Sequence, residues 1–250
     1  MSVALETRGL VKHFGSFVAT NDVNLRVQAG ARHALIGPNG AGKTTLINLL
    51  TGFLEPTAGE VLLNGEAVTR LGQHRRVQRG LVRTFQINRL FADLTVLESV
   101  LLAINERLGL GARFWRPAMA FGGALEEAAA VLERMRLLDV AHQQTRNVAY
   151  GKQRLLEIAM ALASRPKVLL LDEPAAGVPT AESRELFETI ARLPREVTVV
   201  LIEHDMDLVF RFAERISVLV NGALLTEGEP EAIARDARVK EVYLGEAIHG

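Results

Sequence analysis

The residues Gly37, Pro38, Asn39, Gly40, Ala41, Gly42, Lys43 and Thr44 match the spacing G-x-x-x-x-G-K-[ST], a pattern suited to holding phosphate. Glycines at these positions let the backbone curl until successive N–H groups point at phosphate oxygens, and a helix opening at Thr45 adds its positive dipole end. Lys43 would then reach the β and γ phosphates, and the Thr44 hydroxyl would ligate Mg²⁺. Read alone, the octet could also be a Gly-rich turn with an incidental lysine. A nucleotide site needs a second metal-facing carboxylate, and Asp172 supplies one at the end of the apolar run Val168, Leu169, Leu170, Leu171. Glu173, next in the chain, has the chemistry of a base that polarises an attacking water. His204 closes a second apolar run in the same way, although a lone histidine there is more often structural.

Positioning these groups requires strands that end at one edge of a sheet. Apolar or β-branched runs predict strands at residues 3–8, 23–27, 32–36, 60–63, 168–172, 198–203 and 216–220, with a helix at 45–50. Their alternation with helical stretches predicts an α/β fold with a mainly parallel sheet. The pairs Asn64-Gly65 and Asn221-Gly222 predict tight hairpins, because both turn residues need positive φ, so antiparallel strands supplement the parallel set. Between residues 95 and 138 the period becomes helical, and Thr95 and Glu98 have the spacing of a capping box. Residues 108–123 collect Gly, Pro, Phe114, Trp115 and Phe121, which break a helix yet are too apolar for a solvated linker. They either pack as a satellite core or anchor a subunit contact.

The chain has 250 residues, with 29 Lys plus Arg balancing 29 Asp plus Glu, so no global field attracts nucleic acid. It has no cysteine, which excludes disulfides and thiolate chemistry. Glu6, Arg8, Lys12 and His13 interrupt the first residues, so no export signal is read there. No apolar run approaches the roughly 20 residues that span a bilayer, and any membrane role is expected to be peripheral.

The order Lys43, Asp172, Glu173, His204 resembles the ATP-binding cassette family over nearly the whole chain. The resemblance implies one ATPase domain of the P-loop NTPase class with ATP and Mg²⁺ as cofactors. Its core, with an antiparallel β part, would occupy about 1–92 and 165–228, a helical subdomain about 93–164, and a C-terminal helical tail about 229–250. It also implies that Phe14 stacks on adenine, that Gln86 joins the metal shell and links the γ-phosphate site to a membrane subunit, and that His204 contacts the γ-phosphate. The family's signature segment falls at residues 148–154, where Ala149 replaces a serine, Tyr150 a glycine and Lys152 a glutamine, while Gly151 is kept. Either this segment is degenerate or it belongs to a branch with its own variant. An Ala-Tyr-Gly signature resembles an ATPase subunit of high-affinity branched-chain amino-acid importers, as do residues 83–91, 172–177, 202–206 and 242–246. Lys152 and Pro179 depart from that branch and bear on how this chain serves its partner's site.

In that family two cassettes pair head to tail, so each signature closes the other's ATP site. The implied partners are a second ATPase subunit (the same chain or a different one), transmembrane permease subunits and, indirectly, an exported binding protein, at the cytoplasmic face of the inner membrane; nucleic acid is not among them. A soluble single-cassette ATPase of an assembly machine, such as iron–sulfur cluster biogenesis, is the alternative. Arg70, His74, Arg75, Arg76, Arg79, Arg83 and Arg89 surround Gln86 with no acid between Glu66 and Asp93. This stretch is either a solvated face or one from which some arginines meet carboxylates or backbone carbonyls of the membrane subunit's cytoplasmic helix.

Overall fold

The computed structural model describes residues 2–84, 90–109 and 122–246. Gln86, Arg89, Phe114, Trp115 and Phe121 lie outside the described residues.

The described strands are β1 (Val3–Phe14), β2 (Phe17–Val23), β3 (Arg26–Gln28), β4 (Arg32–Ile36), β5 (Ala58–Leu63), β6 (Glu66–Ala67), β7 (Leu81–Arg83), β8 (Val168–Asp172), β9 (Thr198–Ile202), β10 (Arg215–Val220) and β11 (Ala223–Gly228). The helices are α1 (Lys43–Thr51), α2 (Gln73–Gln78), α3 (Val96–Arg107), α4 (Gly122–Arg134), α5 (Tyr150–Ala163), α6 (Thr180–Ala191), α7 (Met206–Phe212), α8 (Pro230–Arg235) and α9 (Ala237–Glu246). Among the described residues no helix is long and apolar enough to cross a membrane.

The first of two compact units comprises Met1–Arg83, Lys167–Glu173 and Pro194–Gly250. It holds a six-stranded sheet in the order β11-β10-β4-β9-β8-β7, parallel from β10 to β7 with β11 antiparallel at one edge. Every residue of β4, β8 and β9 is buried, which is why β8 and β9 carry near-continuous apolar runs rather than alternating ones, while β4 buries Arg32 and His33 ahead of its apolar end. A second, antiparallel sheet runs β2-β1-β5-β6, with β3 also paired to β1. Leu46, Ile47, Leu49 and Leu50 lie on one face of α1 and share a core with Leu10, Val23 and Val61 from one sheet and Leu35, Leu170 and Val200 from the other. Thus α1 is fixed to both sheets.

Both Asn-Gly pairs form the expected turns. Asn64 and Gly65 have φ of 50° and 80° between the partners Leu63 and Glu66, and Asn221 and Gly222 have 49° and 78° between Val220 and Ala223. The strand expected at 23–27 is divided into the end of β2 and the start of β3. Thr7 explains the break: its hydroxyl donates to the Val23 carbonyl at 2.7 Å and accepts from the Leu25 amide at 2.9 Å. A side chain there substitutes for a ladder bond.

The second unit comprises Thr84–Pro166 and Pro174–Leu193. The capping box opens α3, with the Glu98 amide donating to the Thr95 hydroxyl at 3.2 Å and the Thr95 amide to the Glu98 carboxylate at 2.7 Å. Arg107 on α3 ion-pairs Glu127 on α4 at 2.7 Å and donates to the Ala163 carbonyl at the end of α5, tying three helices together.

One buried group makes the first unit sensitive to acid. His33 on β4 is fully buried, with Nε2 2.8 Å from the Ser217 hydroxyl, which donates its proton to Glu227 at 2.7 Å. Nε2 must therefore carry the imidazole proton, and Nδ1 has no hydrogen-bond partner. Burial pushes the His33 pKa down from 6.5 to about 4; Glu227 pulls it upward and Arg215 downward. Between those values the unfolded chain binds a proton that the folded chain refuses, so stability falls as pH drops through the window. The expected loss is about 3 kcal/mol. Urea unfolding at pH 7 and 4 should show it, and His33→Asn should show a smaller difference.

Candidate functional site

The loop between β4 and α1 passes so close to neighbouring backbone that two glycines are obligatory. A Cβ on Gly37 would stand 2.2 Å from the Leu219 carbonyl oxygen, and one on Gly42 2.5 Å from that of Ala19. Gly42 also has φ of 96°, favoured only for glycine. The loop is tied to the β10–β11 turn by the Gly222 amide, which donates to the Ala41 carbonyl at 2.9 Å. Gly42 caps α1 without a side-chain hydrogen bond, so the first amides of the helix are presented to an anion. The Lys43 ammonium folds back over this loop, donating to the carbonyls of Gly37 and of Pro38, the latter at 2.8 Å.

A cleft of about 430 Å³ opens over the loop, lined by Asn39, Gly40, Ala41, Gly42, Lys43, Thr44 and Thr45. Glu173 lines it as well, together with Asn221 and Gly222 of the second Asn-Gly turn and with Phe17, Val18 and Ala19, to which the sequence assigned no role. Phe14 does not line the cleft. It pairs with Phe17 across the tip of the β1–β2 hairpin, with Lys12 Nζ 5.2 Å from its ring centroid. The hairpin was not anticipated, so Phe17 was overlooked.

Asp172 ends β8 and is 7% exposed. Arg83, at the end of the adjacent β7, donates from Nη2 to Asp172 Oδ2 at 2.6 Å and from Nη1 to Asn48 Oδ1 at 2.7 Å. The guanidinium therefore holds the carboxylate against α1. Glu173 has φ of 46°, and its amide donates to the Ile202 carbonyl at 2.9 Å, so its backbone is fixed beside β9. His204 follows β9 with an exposed ring, its Nδ1 3.6 Å from the carboxylate of Glu203, which is 1% exposed. Among the described residues no cluster of three His, Asp or Glu could cage a metal. Thr44 lines the cleft, whereas Asp172 is not among its lining residues and its Oδ2 is held by Arg83; a hydroxyl and a carboxylate are the hard-oxygen donors that Mg²⁺ takes.

Part of the basic stretch is engaged inside the first unit, which takes Arg76 out of the residues available to a membrane subunit. Arg76 is 1% exposed and donates to the carbonyls of Leu49, Leu50, Thr69 and Leu71. Arg79 pairs with Glu66 at 2.9 Å, and Arg83 with Asp172. Arg70, His74 and Arg75 are exposed.

In the second unit, Ala149 caps α5 without a side-chain hydrogen bond, and Tyr150, Gly151 and Lys152 form its first turn. The Gly151 amide donates to the Glu182 carboxylate at 2.9 Å, the Tyr150 hydroxyl to the Ala176 carbonyl at 3.3 Å, and Lys152 ion-pairs Asp139. Pro179 is the N-cap of α6.

The ABC transporter family model matches residues 20–176, and a model described as branched-chain amino acid ATP-binding cassette transporter matches residues 223–249. The chain is 45% identical to the high-affinity branched-chain amino acid transport ATP-binding protein BraF of Pseudomonas aeruginosa, covering 97% of this chain and 98% of the relative. It is 44% identical to LivG of Escherichia coli K12, described in the same terms, at the same coverage. The solved ADP conformation of MJ1267, an ATP-binding cassette of an ABC transporter, superposes with a TM-score of 0.87 at 32% identity, over 98% of this chain and 100% of that one. Loop, strand-end acids and full-length similarity agree, and the chain belongs to the ATP-binding cassette family of transporter ATPases.

Proposed function

We propose that the chain is the ATP-binding and ATP-hydrolysing subunit of an importer for branched-chain or related amino acids. The observation that carries this reading is the cleft lined by both the phosphate-binding loop and Glu173, supported by similarity to BraF and LivG along nearly the whole chain. The match at residues 223–249 favours this over an ATPase of a soluble assembly machine.

In this reading the α1 amides and loop N–H groups receive the phosphates, while Lys43 exchanges the Gly37 and Pro38 carbonyls for phosphate oxygens. Thr44 and Asp172, with Gln86 as the family resemblance implies, would hold Mg²⁺, which would supply charge neutralisation on the phosphate oxygens. Glu173 orients and polarises the attacking water, and His204 contacts the γ-phosphate. Phe14, with Phe17 beside it, offers the aromatic surface for adenine. Ala149, Tyr150, Gly151 and Lys152 act on the ATP of a second cassette. Permease subunits and an exported binding protein complete the importer, with this subunit peripheral at the cytoplasmic face of the inner membrane.

The test is co-purification with the membrane partners, followed by ATPase measurement in liposomes with the binding protein and candidate solutes. ATP turnover should rise severalfold with leucine, isoleucine, valine or a closely related solute. Turnover indifferent to every amino acid supplied would overturn the assignment.

A further inference from the structure

The variant signature turn already has an anion on it. Gly151 is the second residue of the 14-residue helix α5, and its amide is among those with no partner inside the helix. Ala149, at the N-cap, offers no hydroxyl to that end. Glu182, in the first turn of α6, supplies the acceptor instead, with Oε2 2.9 Å from the Gly151 nitrogen. The approach is close enough to dictate the residue type. A Cβ at position 151 would lie 2.3 Å from Glu182 Oε2 and 3.0 Å from its Cβ, so any side chain there would expel the carboxylate. Gly151 is also the one signature residue kept where its neighbours are replaced.

The geometry points to Glu182 as a positioning residue whose carboxylate holds the Gly151 amide that the partner cassette's ATP must engage through its terminal phosphate. This inference rests on the reading that residues 149–152 close a second cassette's site. A single N–H proton makes one well-aligned bond, so phosphate and carboxylate exclude one another at this amide. Both are anions, and the half-buried setting of Glu182 weakens water's screening of their repulsion. Closing the composite site therefore requires the Glu182 carboxylate to leave the turn. The resting contact keeps α5 and α6 aligned and sets a threshold for ATP-driven pairing.

The test compares chains carrying Glu173→Gln, so that bound ATP persists, with and without Glu182→Gln. Glutamine keeps the volume and an acceptor oxygen but removes the charge. ATP-dependent association, followed by light scattering over a range of chain concentrations, should tighten at least about tenfold in the double variant, or 1.4 kcal/mol. Its thermal midpoint without ATP should be unchanged or lower. A purely structural brace predicts the opposite sign, with association weakened in step with stability. Glu182→Ala supplies a second variant, expected to lower the thermal midpoint yet still associate more tightly than the Glu173→Gln parent. Equal or weaker association in both overturns the inference while leaving the composite-site reading intact. No ATP-dependent association in any variant, although each binds ATP, removes that reading and this inference with it.

Discussion

A Glu173→Gln chain is expected to bind ATP as tightly as the parent and to hydrolyse it at least about 100-fold more slowly, the range lost with a positioned general base. Three observations make this substitution a clean one. Glu173 lines the same cleft as the phosphate-binding loop, so it stands at the site rather than in the core. Its amide is anchored to Ile202 at 2.9 Å, so the backbone will not follow the side-chain change. Its φ of 46° is a conformation that glutamate and glutamine occupy at similar cost. Glu173→Gly provides the matching control, because it removes the same carboxylate and relieves the backbone strain. That chain should lose turnover equally while unfolding no more readily than the parent. Single-turnover hydrolysis together with equilibrium nucleotide binding separates these outcomes, and turnover above a tenth of the parent's would exclude Glu173 as the base.

Replacing Arg76 by methionine is expected to cost at least about 3 kcal/mol of folding stability, since each buried acceptor left without a donor costs about 1–3 kcal/mol. The guanidinium serves the Leu49 carbonyl at 2.7 Å and the Leu50 carbonyl at 2.6 Å in the last turn of α1. It also reaches the carbonyls of Leu71 at 2.7 Å and Thr69 at 2.8 Å in the segment leading to α2. A positive charge at this end of α1 also complements the helix dipole. Burial pushes the Arg76 pKa down to about 10, which still leaves it protonated at neutral pH. Gly52 shares the arrangement, since a Cβ there would lie 2.7 Å from Arg76 Nε. Lysine should recover only part of the loss, because its ammonium cannot reproduce the planar fork that spans the two segments. Urea midpoints of the three chains measure the effect. Excess ATP should raise all three through its preference for the folded state. A methionine chain within 1 kcal/mol of the parent would show that water or a repacked backbone serves these carbonyls, against the roughly 1 kcal/mol net value of even one such bond.

What the sequence disclosed and what it withheld divide along a physical line. The buried strands β8 and β9 were legible because a strand covered on both faces reads as a near-continuous apolar run. The Asn-Gly turns and the Thr95 capping box were legible because their chemistry is local. By contrast β7 has three residues, too few for any period, yet it delivers Arg83 to a carboxylate 89 positions away. The row of cations around Arg76 looked like an exposed face because nothing local reveals that one guanidinium turns inward to carbonyls and others find acids on distant strands. The same holds for Glu182, whose partner amide lies 31 positions earlier on another helix.

The contact between the phosphate-binding loop and the β10–β11 turn also orders events during synthesis. The loop's residues leave the ribosome well before the Leu219 carbonyl that packs on Gly37 and the Gly222 amide that holds Ala41. Strand β4 likewise waits for both of its neighbours, β9 and β10. A nascent chain shorter than this hairpin has the whole loop sequence yet lacks the walls that shape it, and forming them requires closing a loop that runs from Gly37 to Gly222. Competence to grip ATP is therefore expected only after the β10–β11 hairpin is made, so a product truncated before it should not hold nucleotide in a half-built site.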